Sequence, residues 1–367
     1  MWKTMTVMLG LSGALLSADV GLEQKIGQML MVGFYGTSAP KDSPICQAIR
    51  RYDIGAVILF DVNPVRPNKP KNIVSKAQVK RLTAQLQACS PRHDLLIAVD
   101  QEGGRVQRLK SKYGFYGRFP SAAEVAKNGK AYAANVYTKM AKELHDVGIN
   151  YDLAPVVDLS LNPKNRVING LKRSFGKDPK KVAAYAQTFI EAMHRYDIVT
   201  SLKHFPGHGS SLGDTHKGFV DVTRLWQRKE LEPYRLLKTT ADTVMVAHVY
   251  NKKLDARYPA TLSKRIVTDL LRRNIGFEGV VITDDLQMGA IAKKYSLKET
   301  LRLAIAAGND ILLFGNQIDP KRIYSPKTLV ETVAALVREG KIDAKRIDAS
   351  YRRIRTLKKK YFSFSLF

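Results

Sequence analysis

Between Ser201 and Gly218 the chain reads SLKHFPGHGSSLGDTHKG, which puts His204, His208 and His216, three of its seven histidines, into one stretch. Lys203 and Asp214 lie among them, with four glycines and one proline. Glycine and proline at that density dictate a long irregular loop. An imidazole on such a loop suits proton transfer near neutrality, because its unperturbed pKa is about 6.5. Asp214, two residues before His216, can take the hydrogen bond of one ring nitrogen, orient the ring and stabilise its charged form. Elsewhere acidic residues close apolar runs: Asp100 in AVDQEGGRVQR, and Asp284 with Asp285 in VITDD. A carboxylate buried there without a partner is expensive. Each of them therefore caps the element that follows or does chemistry. A metal centre is the rival reading, since His204, His208, Asp214 and His216 could supply four ligands. A Gly-Pro loop, with no HExxH on a helix face, does not favour it.

These side chains need a frame. Eight short apolar runs follow in order: Met29–Phe34, Ala56–Phe60, Leu95–Asp100, Ile149–Val156, Thr200–Phe205, Thr243–Val249, Gly279–Asp284 and Ile311–Gly315. Amphipathic stretches alternate with them at Ser75–Cys89, Gly129–Val147, Pro179–Tyr196, Ser263–Asn274, Leu297–Ala307 and Ser325–Glu339, and a basic helix over about 344–361 ends the pattern. Strands that read as continuous apolar runs, each followed by a helix, belong to a parallel sheet buried on both faces. Eight of them predict an α/β protein with a single closed (β/α)8 barrel of TIM type. The alternative, an open doubly wound sheet, wants a G-x-G-x-x-G after its first strand, and none is present. In a barrel the catalytic groups sit at the C-terminal ends of the strands. Asp100 would close the third, Lys203 and His204 the fifth, and Asp284 the seventh. His248, near the end of the sixth, either lines the pocket or satisfies a backbone carbonyl.

Sixty Lys plus Arg against 33 Asp plus Glu give a net charge of +27, which favours anionic partners. The basic residues are scattered over many helices without an RNP, zinc-finger or P-loop pattern, so no nucleic-acid partner is expected. Met1 to Ala18, MWKTMTVMLGLSGALLSA, has the layout of a secretory leader and is too short to span a membrane. A buried N-terminal helix is the other reading of that segment. With the leader removed, residues 19–367 form one catalytic domain, exported and with no stable membrane insertion; a cytoplasmic location is the alternative. Cys46 and Cys89 read as ordinary core thiols, although export would allow them to pair.

The motifs KHFPGHG followed by DTH, VDQEGGRVQR, KRSFG, PATLS and ITDDLQMGAI resemble those of the β-N-acetylhexosaminidases of glycoside hydrolase family three. They run from about Gly27 to Gly315. Many relatives that are glucosidases carry a second α/β domain that supplies an acid/base carboxylate; in the hexosaminidase branch a loop histidine does that work.

The resemblance implies a retaining exo-β-N-acetylglucosaminidase that needs neither cofactor nor metal. Asp284 would be the nucleophile that forms a glycosyl-enzyme intermediate, and Asp285 is the neighbouring candidate. His216 would be general acid and then base, oriented by Asp214. Asp100, Arg108, Arg173, Lys203 and His204 would bind the sugar, with the arginines offering forked donors to hydroxyls or to the acetamido group. His208 reads as a loop-structuring residue. The expected substrates are muropeptides carrying N-acetylglucosaminyl-anhydromuramic acid, and the expected working unit is a monomer. A phosphorylase or a β-glucosidase of the same family is the nearest alternative. A zinc hydrolase and a non-catalytic cell-wall-binding barrel are more remote.

Overall fold

The structure, a computed structural model, describes residues 20–362. The leader expected over residues 1–18 lies outside them. Among the described residues no helix is long and apolar enough to cross a membrane.

Eight parallel strands form the barrel: β1 Leu30–Gly33, β2 Ala56–Ile58, β3 Leu96–Val99, β4 Tyr151–Asp152, β5 Val199–Phe205, β6 Thr243–Val246, β7 Val280–Thr283 and β8 Leu312–Phe314. Each pairs with its neighbours in sequence, β1 pairs with β8, and a parallel bridge between Ile282 and Ile311 closes the ring. Every residue of every strand is buried, as continuous apolar runs require when one face meets the barrel interior and the other meets helices. All eight predicted strands are present; seven are shorter than predicted, and the fifth begins one residue earlier, at Val199. The fourth is the most shortened; beyond it an isolated bridge joins Val156 to Lys203, and the N–H groups of Ser201 and Lys203 donate to the carbonyls of Ala154 and Pro155.

The outer helices start on a repeated local device. Ser43, Ser75, Asp178, Ser296 and Ser325 each accept a hydrogen bond from the N–H three residues on, and Pro44, Pro179 and Pro326 occupy the first helical turn. Each such cap stabilises its helix by about 1 kcal/mol, which fixes where the chain leaves the loop. The stretch expected over 263–274 is helical across Arg265–Ile275, wound as a π-helix. Among the described residues five shorter α-helices, Leu22–Gln28, Pro44–Tyr52, Ala122–Lys127, Glu232–Leu237 and Gly289–Ala292, fall where the periodic pattern is too brief to read.

The opposite mouth of the barrel is sealed by the last helix, Ala344–Phe362. Its basic face lands on carboxylates that immediately precede strands: Arg346 and Arg353 on Asp310, Arg355 and Lys358 on Asp94, and Lys360 on Asp242.

The state of the two cysteines is open in the sequence and is decided by the fold. Cys46, in the helix after β1, is bonded to Cys89, at the end of the helix after β2. Both are buried, as core thiols would be, but they are oxidised. Barrel order places these two helices side by side. In the chain-entropy picture, cross-linking a loop of 43 residues stabilises the fold by about 4 kcal/mol.

Candidate active site

At the C-terminal ends of the strands lies a cavity of 1070 Å³, and Asp100, Arg108, Arg173, Lys203, His204, Asp214, His216 and Asp284 all line it. Asp100 follows β3, Lys203 and His204 lie just before the last residue of β5, and Asp284 follows β7. In a regular strand two successive side chains point to opposite faces. The register of β5 against β6 shifts between Leu202 and Phe205, and this irregularity lets both Lys203 and His204 reach the cavity.

One wall is a chain of charges. The Nζ of Lys203 lies 2.9 Å from Asp100 Oδ1 and 2.7 Å from Glu102 Oε1. Arg108 Nη2 donates to Asp100 Oδ2 at 3.1 Å. Arg173 donates through Nε and Nη2 to the two oxygens of Glu102, both at 2.7 Å. Burial works against every charge here. For Asp100, Lys203 and Arg108 outweigh it and hold the carboxyl well below its ordinary range; for Glu102, Arg173 and Lys203 bring the carboxyl to about 2. Burial likewise opposes the Lys203 ammonium, and Asp100 and Glu102 more than restore it. Carboxylates and cations alternate along the wall, with donors and acceptors fixed in place. Arg173 lines the cavity with its Nε–Nη2 edge closed on Glu102 and its Nη1 at 3.4 Å from the carbonyl of Val167.

Behind His204 stands Asp158, which is fully buried. Its Oδ2 is 2.7 Å from His204 Nδ1, while its Oδ1 accepts the N–H of His208 at 2.7 Å and that of His204 at 3.3 Å. Burial raises the Asp158 carboxyl, but His204 and the His208 N–H outweigh it and keep it below the usual value. An ionised carboxylate can only accept, so Nδ1 of His204 carries a proton and Nε2 is left for a ligand. His208 is itself buried, bonded to Ser211 Oγ at 2.8 Å, and burial lowers its pKa to about 4. It structures the loop, as expected.

Asp284 sits on the floor. Burial opposes its charge; the histidines His248, His204 and His216 and the N–H of Asp285 prevail, so the carboxyl stays below its ordinary range and ionised. Asp285 also borders the cavity, but its Oδ1 accepts the Gln287 N–H at 3.0 Å. Its other oxygen packs against Gly315, where a Cβ would lie 2.6 Å away. Burial pushes Asp285 up to about 6. Two adjacent carboxyls thus have separated environments, one charged and one tending to neutrality. His248 is not in the cavity wall; it is buried between Thr261 Oγ1 at 2.7 Å and the carbonyl of Asp285 at 2.9 Å.

Asp214 and His216 form the mouth. Asp214 Oδ1 is 2.8 Å from His216 Nδ1 and accepts the His216 N–H at 3.0 Å, a local turn that pre-sets the ring. Burial raises the Asp214 carboxyl, but its bonds to His216 bring it below the ordinary value. The loop is pinned to the segment that follows the floor: Gly289 N–H donates to the carbonyl of His216 at 3.1 Å and Ala290 N–H to that of Thr215 at 3.2 Å. A Cβ at Gly289 would lie 2.9 Å from the His216 oxygen, which gives the glycine of ITDDLQMGAI a physical reason. His216 has 57% of its side chain exposed, against 2% for Lys203. It is the most exposed member of the set.

Glu102 and Asp158 were not singled out from the sequence. Both lie just beyond strand ends, Glu102 in a Gly-rich turn and Asp158 in APVVDL, which is the signal that could have marked them.

Residues 21–357 match the profile of the glycosyl hydrolase family 3 N terminal domain. The beta-hexosaminidase A of Pseudoalteromonas piscicida is 33% identical over 377 residues, which cover 92% of this chain and 61% of that protein. The beta-hexosaminidase of Pseudomonas aeruginosa is 36% identical over 275 residues, 74% of this chain and 77% of its own length. Among solved structures, a glycoside hydrolase family 3 beta-N-acetylglucosaminidase from a Paenibacillus species has a TM-score of 0.82 at 32% identity, covering 93% of this chain and 63% of that one. The beta-N-acetylhexosaminidase from Beutenbergia cavernae has a TM-score of 0.78 at 30% identity, covering 93% of this chain and 99% of its own. This chain therefore spans less than two thirds of the Pseudoalteromonas and Paenibacillus proteins.

Proposed function

The chain belongs to glycosyl hydrolase family 3, and from that premise we propose that it is a retaining exo-β-N-acetylglucosaminidase acting by double displacement. The observation that carries the reading is the ionised Asp284 on the floor of a cavity whose mouth holds the Asp214–His216 pair. Asp284 attacks the anomeric carbon while His216 Nε2 gives a proton to the departing oxygen. Water, deprotonated by the same nitrogen, then releases the sugar from Asp284 with net retention. Asp100, Lys203, Arg108 and His204 hold the terminal N-acetylglucosamine, with Glu102, Arg173 and Asp158 fixing their positions.

The leaving group we propose is anionic, as in a muropeptide. Lys164, Arg166 and Lys217 are exposed, line the same cavity, and form no ion pair among the described residues. They sit on the two long loops at its entrance, where the portion beyond the cleaved bond would lie. One chain supplies every residue of the site, so the proposed unit is a monomer. The oxidised Cys46–Cys89 pair supports an exported protein, since such bonds persist in oxidising compartments.

A fluorinated N-acetylglucosaminyl fluoride that reacts but turns over slowly tests the mechanism. Mass spectrometry should find the label on Asp284. A label on Asp285, or no adduct together with full activity in Asp284→Ala, would remove the assignment. Product analysis with phosphate present, looking for free sugar or sugar 1-phosphate, separates the hydrolase from a phosphorylase.

A further inference from the structure

Outside the catalytic cavity, a groove of 520 Å³ runs between the loop after β3 and the helix Lys130–Asp146. Two tyrosines flank it with their rings in solvent: Tyr116 is 60% exposed and Tyr132 42%. Neither hydroxyl has a hydrogen-bond partner among the described residues. Phe119 lies 5.0 Å from Tyr116, centroid to centroid, and the side chains of Arg118, Lys139 and Asn135 complete the walls. Both cations are exposed and form no ion pair among the described residues, and no carboxylate lines the groove.

The groove is built rather than incidental. The Gln107 side chain clamps the loop, donating to the carbonyls of Gly104 at 2.7 Å and Phe119 at 3.2 Å and accepting the Phe119 N–H at 3.2 Å. The N–H of Tyr116 donates to Glu143 Oε1 at 2.6 Å, which ties the loop to the helix that forms the other wall. Arg108, on the same loop, reaches inward to Asp100. One rigid loop thus serves the catalytic cavity on its inner side and the groove on its outer side.

We propose that this groove is a second, non-catalytic binding site for a carboxylate-bearing glycan strand. The flat faces of Tyr116 and Tyr132 suit the C–H faces of sugar rings, and their hydroxyls suit the ring substituents. Arg118 and Lys139 supply the charge complement to carboxylates along the strand. A nucleic acid also stacks on aromatics, but it carries a phosphate at every residue and draws on rows of cations. Two cations beside two tyrosines match a sparser charge. The inference rests on the glycan-directed reading above only in preferring sugar to nucleobase. The site would hold the polymer while its free ends, or fragments released from it, reach Asp284.

The test is co-sedimentation of the full chain with insoluble peptidoglycan, with excess free N-acetylglucosamine present to occupy the catalytic cavity. Tyr116→Ala/Tyr132→Ala should weaken retention about tenfold. Arg118→Gln/Lys139→Gln should release the protein at lower salt. Both variants should keep wild-type kcat/KM on a soluble aryl N-acetylglucosaminide. If the tyrosine pair variant does not fold, Tyr132→Ala alone carries the test. Undiminished retention of the tyrosine variant overturns the proposal. So does displacement of the protein by single-stranded DNA as effectively as by soluble peptidoglycan fragments, or equal retention on neutral chitin. Retention is read without turnover, so a protein lacking hexosaminidase activity would leave this site standing, and the reverse holds as well.

Discussion

The two ends of the barrel bury the same kinds of ions and use them oppositely. At the closed end Asp310 accepts the N–H of Val281 at 3.0 Å and Ser350 Oγ at 2.7 Å, and it pairs with Arg272, Arg346 and Arg353. Asp242 takes His194, Thr200, Lys360 and Tyr361. Burial raises Asp242, but those partners outweigh it and keep it ionised. Protein atoms surround each carboxylate there. At the open end Asp100 is bonded by Lys203 and Arg108 yet keeps 18% of its side chain exposed, on the cavity. A buried ion with all its partners inside the chain holds a fold together. An ion network with one side left to solvent is ready to bind a polar ligand, because its desolvation cost was already met in folding.

That contrast can be broken by mutation, and the largest expected effect is at the open end. His216→Ala should lower kcat by about 10²- to 10⁴-fold on substrates with poor leaving groups, with little change in Tm, as steady-state kinetics and calorimetry would show. A similar loss of kcat/KM, which reports the first step alone, on an activated aryl leaving group would argue against its role as the acid. Asp310→Asn tests the closed end. Leaving three arginines short of their shared charge should cost about 3–5 kcal/mol in denaturant unfolding, while kcat of the folded enzyme is unaltered. Loss of activity without loss of stability would invert the comparison.

A smaller change is expected from Glu102→Gln, which keeps the shape but removes the charge partner of Arg173 and one of the two carboxylates on Lys203. KM should rise about tenfold with a lesser effect on kcat, because the wall positions the sugar rather than reacting with it. An effect seen only in the pH dependence concerns Glu230, under the catalytic loop, whose pKa burial raises from 4.5 to about 7. The folded form holds this proton more tightly than the unfolded chain does. Its stabilising effect is therefore complete below about pH 4.5 and is lost as pH rises through 7. Across that window wild type should lose up to about 3 kcal/mol relative to Glu230→Gln. Parallel Tm–pH curves for the two proteins would refute this.

How much of this was legible differs by residue. Asp100, Lys203, His204 and Asp284 could be read because a charged side chain at the end of an apolar run contradicts the run, and only a barrel rim resolves the contradiction. Asp214 and His216 were legible because their pairing is local, two residues apart. Glu102 and Asp158 escaped because their partners, Arg173 and His204, are distant in sequence and their turns carry no periodicity. Arg173 was noticed, but its fork could not be assigned to Glu102 without coordinates.

The sequence alone determined the eight strands, their order and the set of side chains at one rim, because burial on both faces and strand-to-helix alternation are written into local composition. Only the tertiary structure decided which charges meet. It joined Cys46 to Cys89, closed Arg173 on Glu102, set Asp158 behind His204 and laid the last helix across Asp94, Asp242 and Asp310. Those choices depend on where the ring closure brings distant segments, and a distance in space is not encoded in any stretch of residues shorter than the loop that spans it.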